Sequence, residues 1–418
     1  MTSRSRHFGI VSPPVSGHLN PFGALGRELL RRGHRVTLLH MPDIAVKARA
    51  QGLAFIALGH SDHPLGSLPE SLARLGRLQG FPALNFTIRA VARTTEMFCR
   101  DSPAAIRASG IDALLVDQTE PVGSSLAAHL GLPFITICNA LPMNRDNRVP
   151  PPFTNWTCST SPLAQARNSL GYKISDLVTQ PILRVIRKYR KLWNLPPLRN
   201  AEESFSPLAQ ISQLIREFDY PRPTLPDTFH YTGPLRDLSS GTETFPWERL
   251  DGRPLIYASL GTLQNARAPV FQIFAEACRH KEVQLVITHG GGMTDAEAAA
   301  LPGNPVVVPY APQRQVLERA ALTVTHAGLN TVLDSLACGV PMVALPIAYE
   351  QPAIAERVRH FGLGEIIPFK QLTADRLAAT IDRVLASPQY RNNAKRLAQS
   401  AKAAGGTPAA ADIVESVL

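Results

Sequence analysis

Cysteine is scarce in this 418-residue chain. The five present, Cys99, Cys138, Cys158, Cys278 and Cys338, are scattered and odd in number, with no CxxC pair. That excludes a disulfide framework, argues against a zinc site and fits a reducing compartment. Long apolar runs are missing as well. No stretch is long enough to span a bilayer, and the opening MTSRSRHFGIV passes from a short basic tail into a strand with no secretory h-region. The expected location is the cytoplasm. Neither G-x-G-x-x-G nor a P-loop is present: THGGGMTD has glycines at Gly290 to Gly292 without the required spacing and reads as a turn after a strand. A dinucleotide-binding oxidoreductase is thereby disfavoured. There is no short-period repeat and no low-complexity tract. Acidic residues are outnumbered 33 to 43, for a net charge of +10, which serves solubility or attraction to an anionic surface. The basic residues are not interleaved with aromatics across any recognised module, so no nucleic-acid partner is expected.

What is present is globular in kind: 44% hydrophobic and 18% charged residues. The length suggests two domains. Strand-like runs fall at 8–12, 35–40, 113–117 and 134–138, and again at PLIYASLGT, 284–288, 305–308, 322–325 and 341–345, with helix-length segments between them. Such alternation implies parallel sheets covered on both faces. Between the halves, 219–254 is rich in Pro, Gly and Ser and reads as a linker. The expected fold is α/β, with two doubly wound domains facing each other across a cleft. The expected boundaries are a first domain over 1–235, a linker over 236–253, a second domain over 254–405 and a last helix over 406–418 returning to the first domain.

Two crossovers stand out. IVSPPVSGHLNPFG places His18 among small residues between a strand and a helix, where Asn20 reads as the N-cap and Pro21 as the first helical residue. Strand-to-helix crossovers are where open α/β sheets form ligand crevices. In the second half, the strand 322–325 runs into His326-Ala327-Gly328-Leu329-Asn330-Thr331 and a helix. Gly328 permits close approach to the backbone, and Asn330 and Thr331 add donors at a helix N-terminus that favours a diphosphate. Asp334, one turn on, can accept from ribose hydroxyls, and Glu350 with Gln351 suit the hydroxyls of a sugar.

Taken together, residues 309–352 resemble the donor-binding signature of UDP-sugar-dependent glycosyltransferases, whose plant version begins Trp-Ala-Pro-Gln, continues through His-x-Gly-x-Asn-Ser and ends in Asp/Glu-Gln. The resemblance implies the GT-B arrangement of two Rossmann-like domains, with the acceptor on the N-terminal domain and the UDP-sugar on the C-terminal one. It puts Tyr310-Ala311 at the uracil-stacking position and Gln313 on the nucleoside. His326, Gly328, Asn330 and Thr331 would lie on the diphosphate, Asp334 on the ribose, and Glu350 and Gln351 on the sugar. SLGT, with Ser259, Gly261 and Thr262, resembles the family's phosphate loop, and Gly17 completes the donor set. Tyr310 replaces a Trp and Leu329 replaces the family's second Trp.

His18 then faces the anomeric carbon as the base that activates an acceptor hydroxyl, and the helix N-terminus is expected to keep its imidazole neutral. Asp117, ending ALLVD, is assigned by the resemblance to pair with it. The bland alternatives are a loop histidine, a strand-end cap for Asp117 and a structural histidine for His326. The implied reaction is an inverting displacement on UDP-glucose as co-substrate, with no cofactor and no metal.

Beyond the donor signature, CRDSPAAIRASGIDALLVDQTEP, FSPLAQISQLIREFDYPR, ASLGTLQ and GGTPAAADIVE resemble bacterial zeaxanthin glucosyltransferases. That implies a hydrophobic hydroxylated acceptor, a carotenoid diol, contacted from 65–98. In QPILRVIRKYRKLWNLPPL, Ile182, Ile186, Tyr189 and Trp193 share a helical face edged by cations. Such a helix can lie on the anionic inner face of a membrane or pack on the N-terminal domain. The competing functions are a broad glycosyltransferase of flavonoids or other phenols, a UDP-sugar epimerase and a non-catalytic sugar-nucleotide binder.

Overall fold

The strand-like runs become two separate parallel sheets in the computed structural model, which describes residues 5–78, 80–237, 244–261 and 268–418. The first sheet holds β1 (His7–Val11), β2 (Arg35–His40), β3 (Ala54–Ala57), β4 (Ala113–Asp117), β5 (Phe134–Cys138), β6 (Gln210–Ser212) and β7 (Phe229–Tyr231), in the order β3-β2-β1-β4-β5-β6-β7. The second holds β8 (Leu255–Ser259), β9 (Gln284–Thr288), β10 (Val306–Val308), β11 (Ala320–Thr325), β12 (Met342–Ala344) and β13 (Gly364–Ile366), in the order β10-β9-β8-β11-β12-β13. β1, β4, β5, β8 and β9 are buried along their whole length, as strands sandwiched between helices must be.

Each strand order reverses once, between β1 and β4 and between β8 and β11. A doubly wound sheet opens its crevice at the carboxyl ends flanking such a reversal. Those ends carry Asp117 and the approach to His18 in one lobe, and Ser259 and the approach to His326 in the other.

Several expectations are corrected here. β7 lies inside the Pro- and Gly-rich stretch that read as linker, and of the linker expected at 236–253, residues 238–243 lie outside the described residues. The helix expected to begin at Asn20 begins at Ser16 and runs to Arg31, with Pro21 inside it. The helix Gln180–Leu192 buries Ile182, Ile186 and Arg190. Its Tyr189 and Trp193 pack on the first core, and Trp193 stacks on His129 with ring centroids 4.4 Å apart. That apolar face is covered by protein and is not free to lie on a bilayer.

Both apolar and charged contacts join the lobes. An apolar seam combines Leu141, Leu214 and Phe218 of the first half with Val332, Leu336, Ile354 and Val358 of the second. The last helix, Gly406–Ser416, puts Ala410, Ala411 and Val414 into the first core, and on its exposed side Asp412 accepts from Arg32 at 2.6 Å. Asp219 accepts from Arg222 Nε at 2.9 Å and from Arg357 Nη2, across the lobes, at 3.0 Å.

Candidate active site

His18 stands in the first turn of the helix Ser16–Arg31, not in the loop before it; His18 N and Leu19 N both donate to Val15 O at 3.0 Å. Pro21 has no N–H to return to the carbonyl of Gly17. That carbonyl is taken instead by Asn330 Nδ2 of the other lobe, at 2.8 Å. An interior proline thus frees an acceptor for a bond across the cleft.

His18 Nδ1 lies 2.8 Å from Asp117 Oδ2, with the imidazole 18% exposed and the carboxylate fully buried. Asp117 also accepts from Thr119 N at 2.9 Å, Thr119 Oγ1 at 2.6 Å and Asn139 Nδ2 at 2.9 Å. Burial opposes its charge, but His18 and the Thr119 donors hold its pKa below the ordinary carboxylate value. Burial likewise pulls His18 down, yet the Asp117 carboxylate, with Glu350 and Glu120 beyond it, leaves its pKa raised. Against the expectation that the helix end keeps this ring neutral, the Asp117 carboxylate at Nδ1 favours the charged form. With Asp117 on Nδ1, the neutral ring carries its proton there and leaves Nε2 as the base.

Across the cleft, Ser259 ends β8 and its Oγ accepts from Gly261 N at 3.2 Å. Gly261 has φ +72°, and a Cβ there would stand 2.6 Å from His326 Cε1. Only glycine lets the loop lie against that ring. Thr262 lies outside the described residues. Burial lowers His326 to about 4, and its buried Nδ1 has no hydrogen-bond partner among the described residues, so the ring is neutral at pH 7. Ala327 and Tyr349, both non-glycine residues, have φ of +63° and +56°. They strain the backbone next to His326 and next to Glu350, as ligand-holding loops often do.

Gly328 is the N-cap of the helix Leu329–Ala337, whose first-turn amides have no intrahelical acceptor. The side chains expected to help them are already engaged. Asn330 reaches Gly17, and Thr331 Oγ1 donates to Gln313 Oε1 at 3.3 Å. Gln313 Nε2 donates to Asp334 Oδ2 at 2.6 Å, and Arg236 Nε donates to Asp334 Oδ1 at 2.6 Å. Gln313 and Arg236 thereby fix the Asp334 carboxylate. Glu350 Oε2 accepts from Leu141 N at 2.9 Å, again across the lobes. Gln351 Oε1 accepts from Ile347 N and Ala348 N, closing its own loop. Tyr310 is 56% exposed.

These residues line one interlobe cleft of about 1670 Å³, which holds Gly17, His18, Ser259, Gly261, Tyr310, Ala311, Gln313, His326, Gly328, Asn330, Thr331, Asp334, Glu350 and Gln351. Asp117 stands behind His18, out of the lining. Two side chains that sequence reasoning missed belong here. Arg236 comes from the irregular connection between the lobes, where no periodicity marks it. Glu120 is buried beside the dyad, its Oε1 unpartnered among the described residues, and burial followed by the Asp117 charge raises it to about 8. Nothing in DQTEP distinguishes it from a turn residue.

The model of the UDP-glucoronosyl and UDP-glucosyl transferase family matches residues 87–404. The zeaxanthin glucosyltransferase of Pantoea ananas is 37% identical over 99% of this chain and 96% of its own length. That of Pseudescherichia vulneris is 36% identical over 99% and 98%. The glycotransferase of kitacinnamycin superposes with a TM-score of 0.78 over the whole of both chains at 25% identity. The calicheamicin glycosyltransferase CalG4 also reaches 0.78, at 23% identity over 99% and 98% of the two chains, and supports the GT-B fold. With paired switch points, a histidine on one wall of the cleft and a helix N-terminus on the other, the chain belongs to the UDP-glucoronosyl and UDP-glucosyl transferase family and is a UDP-glycosyltransferase.

Proposed function

We propose that the protein transfers glucose from UDP-glucose to the hydroxyls of a carotenoid such as zeaxanthin, with inversion at the anomeric carbon. The observation that carries the mechanism is the 2.8 Å contact of His18 Nδ1 with Asp117 at the cleft wall. An acceptor hydroxyl bound at Nε2 gives up its proton as its oxygen attacks the anomeric carbon and the bond to the diphosphate breaks. The imidazolium that forms is stabilised by the Asp117 carboxylate. On the donor side, Tyr310 stacks on uracil and the first-turn amides of the helix Leu329–Ala337 receive the diphosphate. Asp334 holds the ribose, and Glu350 exchanges its Leu141 bond for a sugar hydroxyl beside Gln351. The acceptor reading is supported by the apolar wall formed by Leu68, Leu72, Leu75, Leu84, Phe86 and Val91, and by the full-length similarity to two proteins named for zeaxanthin.

The test is product analysis by mass spectrometry and NMR, with several UDP-sugars offered against zeaxanthin in micelles and against flavonoids. The expected products are β-linked mono- and diglucosides of zeaxanthin from UDP-glucose. Transfer to phenols alone would overturn the acceptor, an altered UDP-sugar without acceptor would indicate an epimerase, and binding without turnover a sugar-nucleotide binder.

A pH profile tests the dyad separately. The raised His18 pKa places the acid limb of kcat/KM above pH 6.5, since activity requires the deprotonated ring. Removing the Asp117 charge takes away the strongest influence raising that pKa. Asp117→Asn is expected to move the limb to lower pH while lowering the plateau by about 10²-fold or more.

A further inference from the structure

The helix Pro162–Val178 buries Ala164, Asn168, Gly171 and Tyr172. Its opposite face carries Leu163, Leu170, Ile174 and Leu177, which are 82%, 58%, 52% and 73% exposed. They recur at helical spacing, so they form one stripe and not scattered contacts. A contiguous exposed apolar stripe on a soluble domain marks an interaction surface.

The chain continues through Thr179 alone into the helix Gln180–Leu192; Ile182 N and Leu183 N both donate to Thr179 O. Along the exposed side of that second helix the leucines give way to Arg184, Arg187, Lys188, Lys191 and Leu192. Lys188 meets Glu96, but Arg184 and Lys191, like Lys173 on the first helix, have no acidic partner among the described residues. Asp176, the one acid on the leucine-bearing helix, is held by Arg145 Nη1 at 2.9 Å. The surface is therefore apolar at one end and uncompensated positive at the other.

We propose that this two-helix face docks on an anionic phospholipid bilayer, with the leucines in the acyl boundary and the cations on the headgroups. Apolar insertion and attraction to anionic lipid are the two contributions peripheral binding needs. The unpaired cations favour a lipid surface over a second copy of the same positive face. The location also suits the reading of an acceptor dissolved in lipid, on which the role of this surface rests. Asn168 Nδ2 donates to Asn147 O at 2.8 Å, and Tyr172 OH to Val149 O at 3.1 Å. Those bonds fasten the helix to the segment that carries Pro152 and Phe153 into the cleft.

Sedimentation with vesicles of phosphatidylcholine, alone or mixed with phosphatidylglycerol, tests this without donor or acceptor, so its outcome is independent of the transfer assays. The full chain is expected to partition at least about tenfold better onto the mixed vesicles. Leu170→Ser/Ile174→Ser/Leu177→Ser should abolish binding to both. Lys173→Glu/Arg184→Glu/Lys191→Glu should remove the preference for anionic lipid. Both variants should keep the wild-type melting temperature and UDP binding. Absence of binding, equal binding to both vesicles, or a leucine variant that binds like wild type would overturn the proposal. So would a dimer in analytical ultracentrifugation that the leucine variant dissolves, since the face would then belong to a second copy.

Discussion

Replacing His18 with alanine should lower the rate of glucosyl transfer by about 10²- to 10⁴-fold, the range expected for losing a positioned general base, while UDP still binds. The separation follows from the geometry. His18 sits on the β1–β4 side of the cleft, whereas the helix end, Gly261 and Tyr310 sit on the β8–β11 side. Among the described residues the His18 ring hydrogen-bonds to Asp117 alone. That carboxylate keeps Thr119 N, Thr119 Oγ1 and Asn139 Nδ2 when the imidazole is gone. The buried carboxylate of the variant therefore stays hydrogen-bonded, and its melting temperature should stay near that of the wild type. Stopped-flow transfer and calorimetric UDP titration make the measurement. Unchanged turnover would remove His18 as the base, and lost UDP binding would mean that the ring serves the donor.

The sheet scaffold was largely legible in the sequence, because a strand covered on both faces must be apolar throughout. β2, β4, β5 and β9 have the expected limits. β3, β6, β7 and β13 escaped for the complementary reason: they have three or four residues each, and β3 has no fully buried position. The helix at His18 was misread because Asn20-Pro21 is a strong local start signal. Here the proline is tolerated one turn inside, its missing bond replaced by Asn330 from a distance that local patterns do not contain. The same holds for Arg236 and Glu120. Both matter through what the other elements bring next to them, and the periodicity of their own segments carries no trace of it.

The link between the lobes yields the second large effect. Asp219, Arg222 and Arg357 are each about 1% exposed at the side chain, and the single carboxylate faces two guanidinium groups. Arg222 Nη2 and Arg357 Nε are buried with no hydrogen-bond partner among the described residues. Asp219→Ala would leave both cations uncompensated, a loss of about 3–5 kcal/mol for breaking a buried pair, or roughly 10²- to 10⁴-fold in the folding equilibrium. By comparison, the cleft-crossing bonds of Asn330 with Gly17 and Leu141 with Glu350 contribute about 1 kcal/mol each, so the ion cluster and the apolar seam set the lobe geometry. Arg357 lies on the helix Gln351–His360, whose N-cap is Glu350. Loss of the cluster should therefore loosen the loop at Glu350 as well as the fold, and raise the KM for the UDP-sugar. The sign with pH is fixed by the direction of the shift. Burial works against the Asp219 charge, but Arg222 and Arg357 hold its pKa below the ordinary value. Its contribution is complete above the unfolded value of about 3.9 and disappears as pH falls through the lower native value. Urea unfolding should show a wide gap between wild type and Asp219→Ala at neutral pH that narrows only in strong acid. A gap that was small at pH 7 would mean that the two arginines find other partners and that the lobes are held by the apolar seam alone.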